Sequence, residues 1–227
     1  MHVPVAIVGA GPSGSLLAWI LRQRGIESIV LERQSREYVE SRIRAGVMEQ
    51  NSVDLMIKAG IGERLQKECM YHRGVAIGLY NEHHFLDFDK LIGIGVTVYG
   101  QSEVTKDLLG GLAAEGHNVL YEAPVRAIED IEGDRATVKY THEGADQELT
   151  CDFVIGCDGF HGPSRQAMPA SVLKTHEKVY PFGWLGVMVN APPSKDVALF
   201  AHHERGFALL SMRSPKVSRL YLQCKPD

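Results

Sequence analysis

The sequence has 227 residues, of which 44% are hydrophobic and 23% charged, and its formal net charge is −4. This composition predicts a folded soluble protein with a substantial core, in one large domain or two small ones. The slightly acidic balance, without a long run of Lys or Arg, argues against a nucleic-acid partner, and no apolar stretch approaches the roughly 20 residues of a membrane-spanning helix.

Cysteine and histidine usage indicates a reduced protein without a metal site. The cysteines form no C-x-x-C pair, and the histidine pairs at 83–84 and 202–203 lack the spacing of a zinc site. Buried thiols in a cytoplasmic protein are therefore the favoured interpretation. The first apolar run is broken at once by glycines and follows no cationic region, so we expect no secretory signal.

The first forty residues predict a βαβ unit. The β-branched run at 3–8 is typical of a buried parallel strand. Apolar residues recur with a helical period over 13–24, and Gly25 ends that pattern. A second strand is predicted over 28–31, directly before Glu32.

Three glycines in this unit follow the spacing G-x-G-x-x-G. Gly9 permits a tight turn, Gly11 allows the backbone to approach a pyrophosphate, and Gly14 allows the helix to pack on the strand. Glu32 is placed to accept hydrogen bonds from an adenosine ribose and would repel a 2′-phosphate. The unit therefore predicts FAD or NAD rather than NADP, against the alternative of a glycine-rich turn in another α/β protein.

The remainder of the chain departs from the strand–helix alternation of a simple dehydrogenase. Helices are predicted over 47–59 and over 102–115, the second with Ser102 as its N-cap. A hairpin over 136–150 is predicted with Glu143 and Gly144 at its turn. The other predicted strands are 74–80, 85–88, 96–99, 119–121, 125–131 and 148–155, and a helix is predicted to begin near Pro163.

The stretch 207–223 predicts a second hairpin, with its turn at 215–216. Alternation along the strands places Arg213 opposite Arg219, and Ser211 opposite Tyr221. Opposed arginines repel each other, and the planar fork of each suits a carboxylate, so the pattern indicates an anion site. The alternative is the solvated face of an antiparallel sheet.

Six stretches carry a resemblance to a known family. They are GAGPSG (9–14), LERQ (31–34), RIRAGVMEQ (42–50), VTVYGQSEVT (96–105), GCDGFHGPSRQ (156–166) and VYPFGWLG (179–186). With these stretches the chain resembles the flavin-dependent aromatic hydroxylases, the class A flavoprotein monooxygenases, and within them the members that act on 4-hydroxybenzoate. The stretches span nearly the whole chain, and several are specific to that group.

The resemblance implies an α/β fold, in which a Rossmann-like FAD-binding βαβ domain carries an inserted or appended antiparallel β-sheet substrate domain. It assigns residues 1–70 to the FAD-binding region and 71–100 to the substrate domain. Residues 101–175 would return to the FAD-binding domain with the Asp-Gly motif, and 176–227 would form an incomplete sheet of the substrate domain. The family continues well beyond this length, so we expect the chain to be part of a longer polypeptide.

The resemblance also implies two cofactor sites. The residues that it assigns to FAD are Gly9, Gly11, Ser13, Gly14, Glu32, Arg33, Arg42, Arg44, Gln101, Asp158 and Gly159. The residues that it assigns to NADPH are Arg33, Gln34, Tyr38, Arg42, Arg44, His161 and Arg165. Because FAD would occupy the glycine motif, NADPH binding does not conflict with Glu32. Without the resemblance, the arginines would be interpreted as a solvated basic loop.

For the substrate, the resemblance implies that Ser211, Arg213 and Tyr221 hold a carboxylate and that Arg219 influences the flavin position. Phe200 stands where the family members that act on 4-hydroxybenzoate have a catalytic tyrosine, which bonds the substrate 4-hydroxyl. Losing a hydrogen bond to a charged group costs about 1.5–3 kcal/mol, roughly ten- to a hundredfold in rate. Phe200 therefore indicates a slow 4-hydroxybenzoate enzyme or a related substrate such as 4-aminobenzoate.

The implied activity is hydroxylation of an aromatic acid with NADPH and O2, such as conversion of 4-hydroxybenzoate to 3,4-dihydroxybenzoate. One alternative is an inactive FAD- or ADP-binding fragment of such an enzyme. Another is an NAD-dependent dehydrogenase, which the mixed β region after residue 70 disfavours. The family is often dimeric, so a homodimer is left open.

Overall fold

Fifteen strands and seven helices form among residues 1–226, the part of the chain that the computed structural model describes. The strands are β1 (His2–Val8), β2 (Ser28–Leu31), β3 (Val47–Met48), β4 (Met70–His72), β5 (Gly74–Leu79), β6 (Glu82–Asp87), β7 (Val96–Val98), β8 (Val119–Leu120), β9 (Val125–Glu129), β10 (Ala136–His142), β11 (Ala145–Gly156), β12 (Gly183–Val189), β13 (Leu199–His203), β14 (Gly206–Ser214) and β15 (Val217–Cys224). The helices are α1 (Pro12–Gln23), α2 (Arg36–Ser41), α3 (Gln50–Lys58), α4 (Glu63–Glu68), α5 (Phe88–Ile92), α6 (Gln101–Ala114) and α7 (Pro163–Ala167).

The elements form two compact units. The first contains residues 1–44, 58–61 and 101–175, and the second contains 45–57, 62–100 and 176–226. The predicted α/β architecture with antiparallel sheets is confirmed. The boundary differs from the predicted one, because residues 45–57 and 62–70 belong to the second unit, where β3 and β4 both pair with β7.

The first unit is built on a six-stranded sheet in the order β8-β2-β1-β11-β10-β9. The first four of these strands run parallel, whereas β9, β10 and β11 are antiparallel neighbours. Strand β2 shows why the sheet has two buried faces: Val30 packs in one apolar cluster, and Ile29 and Leu31 pack in the other. Side chains from α1 and α6 cover the Val30 face, because Ala18 and Leu109 belong to that cluster.

The hairpin of β10 and β11 has the predicted turn. His142 pairs with Ala145, and the two residues between them have positive φ angles, +50° for Glu143 and +75° for Gly144. Two positive φ angles define a type I′ turn, which matches the right-handed twist of the strands and favours glycine at its second position.

Replacing Gly144 by alanine is expected to lower the free energy of unfolding by about 1–2 kcal/mol, because a Cβ atom disfavours the left-handed conformation. Urea unfolding followed by circular dichroism measures this loss. Gly110→Ala is the control, since Gly110 lies within α6 and a Cβ there would meet no atom within 4 Å apart from the adjoining backbone of its own helix. A Gly144→Ala protein as stable as the original would contradict the assigned turn.

Three sequence predictions need correction in local structure. The predicted helix over 47–59 begins only at Gln50, because the preceding Val47–Met48 forms strand β3. Ser102 is not an N-cap, because α6 already begins at Gln101. The basic loop after Glu32 contains α2, whose N-cap Ser35 accepts the Tyr38 N–H at 3.2 Å.

The second unit contains two sheets. The larger has the strand order β12-β15-β14-β13-β5-β6, and only its β13–β5 pair is parallel. The smaller consists of β3, β7 and β4 in antiparallel pairing. Among residues 1–226, no helix combines the length and apolar character that crossing a bilayer requires. The same part of the chain holds no cluster of three or more His, Cys, Asp or Glu that could bind a metal ion.

Candidate functional site

The glycine motif, Glu32 and the Asp-Gly motif of the first unit lie where the parallel strands of its sheet have their carboxyl ends. Val8 at the end of β1 pairs with Leu31 in β2 and with Gly156 in β11. Because carboxyl ends of parallel strands meet at one edge, the glycine motif, Glu32 and the Asp-Gly motif follow neighbouring strands. Crevices at this edge of open α/β sheets are the usual place of ligands.

Two of the motif glycines are required by close packing inside the protein. Gly9 has a φ angle of +102°, and a Cβ atom there would lie 2.5 Å from the Cys157 carbonyl oxygen. A Cβ atom on Gly14 would lie 2.0 Å from the Gly9 carbonyl oxygen. These glycines therefore let the β1–α1 loop, helix α1 and the β11–α7 loop come together.

Gly11 differs from its neighbours in the motif, because a Cβ atom on it would meet nothing within 4 Å. Gly11 is the N-cap of α1 and, as a glycine, has no side chain that could cap the helix. The Ser15 N–H donates to the Gly11 carbonyl at 3.0 Å, so the N–H groups of Ser13 and Gly14 precede this helical hydrogen bond. Open space in front of uncapped helical N–H groups fits an anionic group such as a pyrophosphate.

Glu32 lies beside this loop and is only 8% exposed. The Ala10 N–H donates to its Oε2 at 2.8 Å, and the Gln34 N–H donates to its Oε1 at 2.9 Å. Glu32 therefore ties β2 to the glycine loop, a structural role that the motif alone did not indicate. Each carboxylate oxygen has a second lone pair, so ribose hydroxyls could still donate to it.

The Asp-Gly motif forms the turn that leads to α7. Asp158 accepts the Ser164 N–H at 2.8 Å through Oδ2, and Gly159 has a φ angle of +74°. A Cβ atom on Gly162 would lie 2.0 Å from the Asp158 carboxyl carbon. Asp158 is thus held in place within the protein, next to the Cys157 carbonyl group that Gly9 approaches.

The positions assigned to NADPH lie in two segments that follow β2 and β11. Arg33, Tyr38 and Arg42 are exposed, and the Arg42 guanidinium carbon lies 5.7 Å from the centre of the Tyr38 ring. In the other segment, the Arg165 guanidinium carbon lies 4.6 Å from the centre of the Phe160 ring, which also meets the His161 ring edge-on. The remaining residues assigned to NADPH are Gln34 and the exposed Arg44. Gln101, which is assigned to FAD, is the first residue of α6.

The predicted register of the β14–β15 hairpin is wrong. Ser211, not Arg213, pairs with Arg219, and Tyr221 pairs with Leu209 rather than with Ser211. The difference has two sources. Ser214 pairs with Val217 at the turn, which is one residue away from the predicted register. A register shift between Met212 and Ser214 adds a second residue and takes Arg213 out of regular pairing, as a β-bulge does.

The bulge nevertheless leaves Arg213, Arg219 and Tyr221 in contact. Arg213 Nη2 donates to the Tyr221 hydroxyl at 3.5 Å, and the Arg219 guanidinium carbon lies 4.6 Å from the centre of the Tyr221 ring. Ser211 Oγ donates to the Arg219 carbonyl at 3.2 Å. Arg219 is only 9% exposed, and its Nε is buried with no hydrogen-bond partner among the described residues.

The environment of Arg213 and Arg219 favours binding of an anion. Burial lowers the pKa of Arg213 from its ordinary value; Tyr221 opposes this shift, while the positive charge of Arg219 adds to it. An arginine stays protonated in proteins at neutral pH, so both positive charges persist side by side. A carboxylate would compensate them, and the Tyr221 hydroxyl could donate to it.

Aromatic side chains occupy the same face of this sheet. Phe200 pairs with Leu209, which pairs with Tyr221, so all three lie on one face. The Phe200 ring centre lies 6.4 Å from that of Phe207, which lies 5.6 Å from that of Trp184. The face therefore combines paired cations with aromatic surface.

Two glycines that were not among the predicted site residues border the arginines. A Cβ atom on Gly46 would lie 1.3 Å from Arg213 Nη1, and one on Gly186 would lie 2.6 Å from Arg219 Nη2. Gly46 stands within RIRAGVMEQ and Gly186 ends VYPFGWLG, two of the stretches that carry the resemblance. Their position in those stretches was the only signal, because strand pattern does not show which distant side chain a glycine faces.

A family model described as FAD binding domain matches residues 2–227. The chain is 44% identical over 224 residues to p-hydroxybenzoate hydroxylase of Acinetobacter baylyi, covering 98% of this chain and 55% of that protein. It is 34% identical over 163 residues to 12-dehydrotetracycline 5-monooxygenase/anhydrotetracycline 6-monooxygenase of Streptomyces rimosus, covering 70% of this chain and 31% of that protein.

Among solved structures, p-nitrophenol 4-monooxygenase from Pseudomonas putida DLL-E4 has the same fold, with a TM-score of 0.87 over 100% of this chain and 59% of that one, at 18% identity. The chain thus spans about half the length, or less, of the curated relatives described above.

Proposed function

Because the chain belongs to the FAD binding domain family, we propose that it is the FAD- and substrate-binding part of a flavin-dependent aromatic hydroxylase. The observation that carries the proposal is the contact of Arg213 and Arg219 with Tyr221, on a sheet face that also bears Phe200. Such a face suits a ligand with a carboxylate at one end and an aromatic ring at the other.

The proposed cofactor site is the edge of the first sheet. The N–H groups of the first turn of α1 would bind the pyrophosphate of FAD in the open space at Gly11. Glu32 would accept from the ribose, and Asp158 with Gly159 would border the same site. Bound FAD would supply the transfer of electrons from NADPH and the activation of O2.

NADPH is the proposed reductant. Its support is the exposed arginines Arg33, Arg42 and Arg44, together with Arg165. Guanidinium groups suit phosphates, and the glycine motif remains available to FAD. The overall reaction would consume NADPH, O2 and a proton, place one oxygen atom on the ring, and release NADP⁺ and water.

We propose 4-hydroxybenzoate as the substrate, because the relative that is similar over 98% of this chain is a p-hydroxybenzoate hydroxylase. Arg213 would bind the carboxylate with its planar fork, and Ser211 and Tyr221 would contribute hydroxyl groups. The aromatic side chains would exclude water from the ring. A homodimer and a cytoplasmic location stay predictions.

A second candidate substrate is 4-aminobenzoate, which Phe200 favours. A phenylalanine at this position can neither accept a proton nor hydrogen-bond to a 4-hydroxyl group. An amino group activates the ring without deprotonation, so it would not need a phenol partner. The two candidates share the carboxylate and differ only at the far end of the ring.

Loading the purified chain with FAD and recording visible absorption spectra tests the proposal. We expect a flavin band that shifts on titration with 4-hydroxybenzoate or 4-aminobenzoate, and the ligand that binds more tightly is the favoured substrate. Absence of a flavin band after loading would reject the proposed cofactor site in this chain. A band that neither acid shifts would reject the proposed substrate class.

The variant Phe200→Tyr separates the two substrates. If 4-hydroxybenzoate is bound as proposed, the added phenol should tighten its binding by roughly two- to tenfold, as expected for a hydrogen bond between two neutral hydroxyl groups. Binding of benzoate, which has no 4-substituent, serves as the control and should not tighten. Equal affinities of the variant and the original protein for 4-hydroxybenzoate would show that residue 200 does not face the 4-substituent.

A further inference from the structure

Gly46 is a buried glycine whose missing side chain is replaced by the guanidinium of Arg213. A Cβ atom on Gly46 would lie 1.3 Å from Arg213 Nη1, 2.2 Å from Cζ and 2.9 Å from Nε. Real Cβ atoms essentially never come within 3.0 Å of a non-bonded heavy atom of another residue. The Arg213 guanidinium therefore occupies the volume that any other residue at position 46 would need.

The Gly46 backbone is held where it is. Its carbonyl accepts the Tyr99 N–H at 2.9 Å, and the next residue, Val47, pairs with Val98 in the small sheet. Moving Gly46 away from Arg213 would break these hydrogen bonds. The Arg213 side chain is flexible, so it is the group that would move if position 46 carried a Cβ atom.

Arg213 depends on this arrangement because its own strand is irregular. It lies at the register shift of β14, so the regular ladder with β15 does not set the direction of its side chain. The Tyr221 hydroxyl fixes one end of the guanidinium at 3.5 Å. The backbone of Gly46, which directly precedes the small sheet of the same unit, borders the guanidinium on another side.

We propose that Gly46 is a positioning residue for Arg213, and that it determines affinity for aromatic carboxylates. The inference rests on the proposed function, since it assumes that Arg213 binds the carboxylate. A bidentate hydrogen-bonded pair requires the fork to be oriented, not only charged. With a side chain at position 46, the positive charge remains but the fork turns away from its place beside Tyr221.

The first experiment measures the position of Arg213 without any ligand. Phenylglyoxal modifies accessible guanidinium groups, and mass spectrometry of peptides reports the rate at Arg213. We expect Gly46→Ala to increase this rate several-fold. Gly183→Ala is the matched control in the same unit, because a Cβ atom there would lie 3.8 Å from Cys224 Sγ, an ordinary contact distance. An unchanged rate in Gly46→Ala, with unchanged circular dichroism, would overturn the proposal.

The second experiment titrates the FAD-loaded chain with 4-hydroxybenzoate by calorimetry. Gly46→Ala should weaken binding by about tenfold or more, in line with losses at hydrogen-bonded charge pairs. In the Arg213→Ala background, the same Gly46→Ala change should have less than about a twofold further effect, because the two residues act through one interaction. Additive losses would mean that Gly46 acts independently of Arg213, which would overturn the proposal.

The two experiments fail in different ways. If the original chain does not bind 4-hydroxybenzoate or 4-aminobenzoate, the proposed function is rejected, and with it the role of Gly46 in affinity. The modification rate then still decides whether Gly46 positions Arg213. If the original chain binds and Gly46→Ala binds equally well, only the inference about Gly46 is rejected.

Discussion

Replacing Arg213 by alanine is expected to weaken 4-hydroxybenzoate binding by about a hundredfold. Removing one member of a buried, hydrogen-bonded charge pair costs about 2–5 kcal/mol, and each 1.4 kcal/mol corresponds to a tenfold change in affinity. Arg219 would remain, but its guanidinium lies over the Tyr221 ring and against Gly186. Calorimetric titration of the FAD-loaded chain measures the loss.

Lys216→Ala is the matched control for this prediction. Lys216 is an exposed cation in the turn of the same β14–β15 hairpin. Solvent screens exposed charges, so its removal should change affinity by less than about twofold. Similar losses in both variants would indicate a general electrostatic attraction rather than a built carboxylate site. No loss in Arg213→Ala would place the acid elsewhere.

The second large effect is expected at Gly11. Alanine at this position should weaken FAD binding at least tenfold, because its Cβ atom would enter the open space in front of helix α1 that we assign to the pyrophosphate. The fold should tolerate the change: the φ and ψ angles of Gly11, −66° and 178°, suit any residue. The free energy of unfolding should stay within about 1 kcal/mol of the original.

Gly14→Ala gives the contrasting result. Its Cβ atom would collide with the Gly9 carbonyl oxygen at 2.0 Å, so this variant should lose about 1–3 kcal/mol of stability as an overpacked site does. Flavin fluorescence titration and urea unfolding together distinguish the two glycines. If Gly11→Ala binds FAD normally, the assignment of this space to the cofactor is wrong. If it unfolds as readily as Gly14→Ala, the effect is structural.

Local patterns explain how far the fold could be predicted from the sequence. The βαβ unit and the turn at Glu143 and Gly144 depend on a few neighbouring residues, so their signals are complete within short segments. The strand Val47–Met48 was missed because two apolar residues before a helix resemble a helical turn. Only its pairing with β7, about fifty residues later, makes it a strand.

The residues of the anion site were predicted from the sequence, but the register of the strands that carry them was not. Alternation correctly suggested that Arg213, Arg219 and Tyr221 would come together, yet it assumed a regular ladder. The bulge beside Met212 changes which residues are opposite without a Gly or Pro to signal it. In the same way, the capping of α7 by Asp158 depends on a loop conformation that spacing does not reveal.

The central pairing of β1 with β11 has a consequence for how the protein is made. His2 and Thr150 are partners in that pairing, although 148 residues separate them along the chain. Contacts between such distant residues fold slowly, because a long loop must close before they form. On the ribosome, the N-terminal strand must therefore wait for the synthesis of most of the polypeptide. The tight bend at Gly9 packs against the Cys157 carbonyl, so it can form completely only at that late stage. Binding of the nucleotide should therefore follow translation of the β11 region, and should not begin when the glycine loop has been translated.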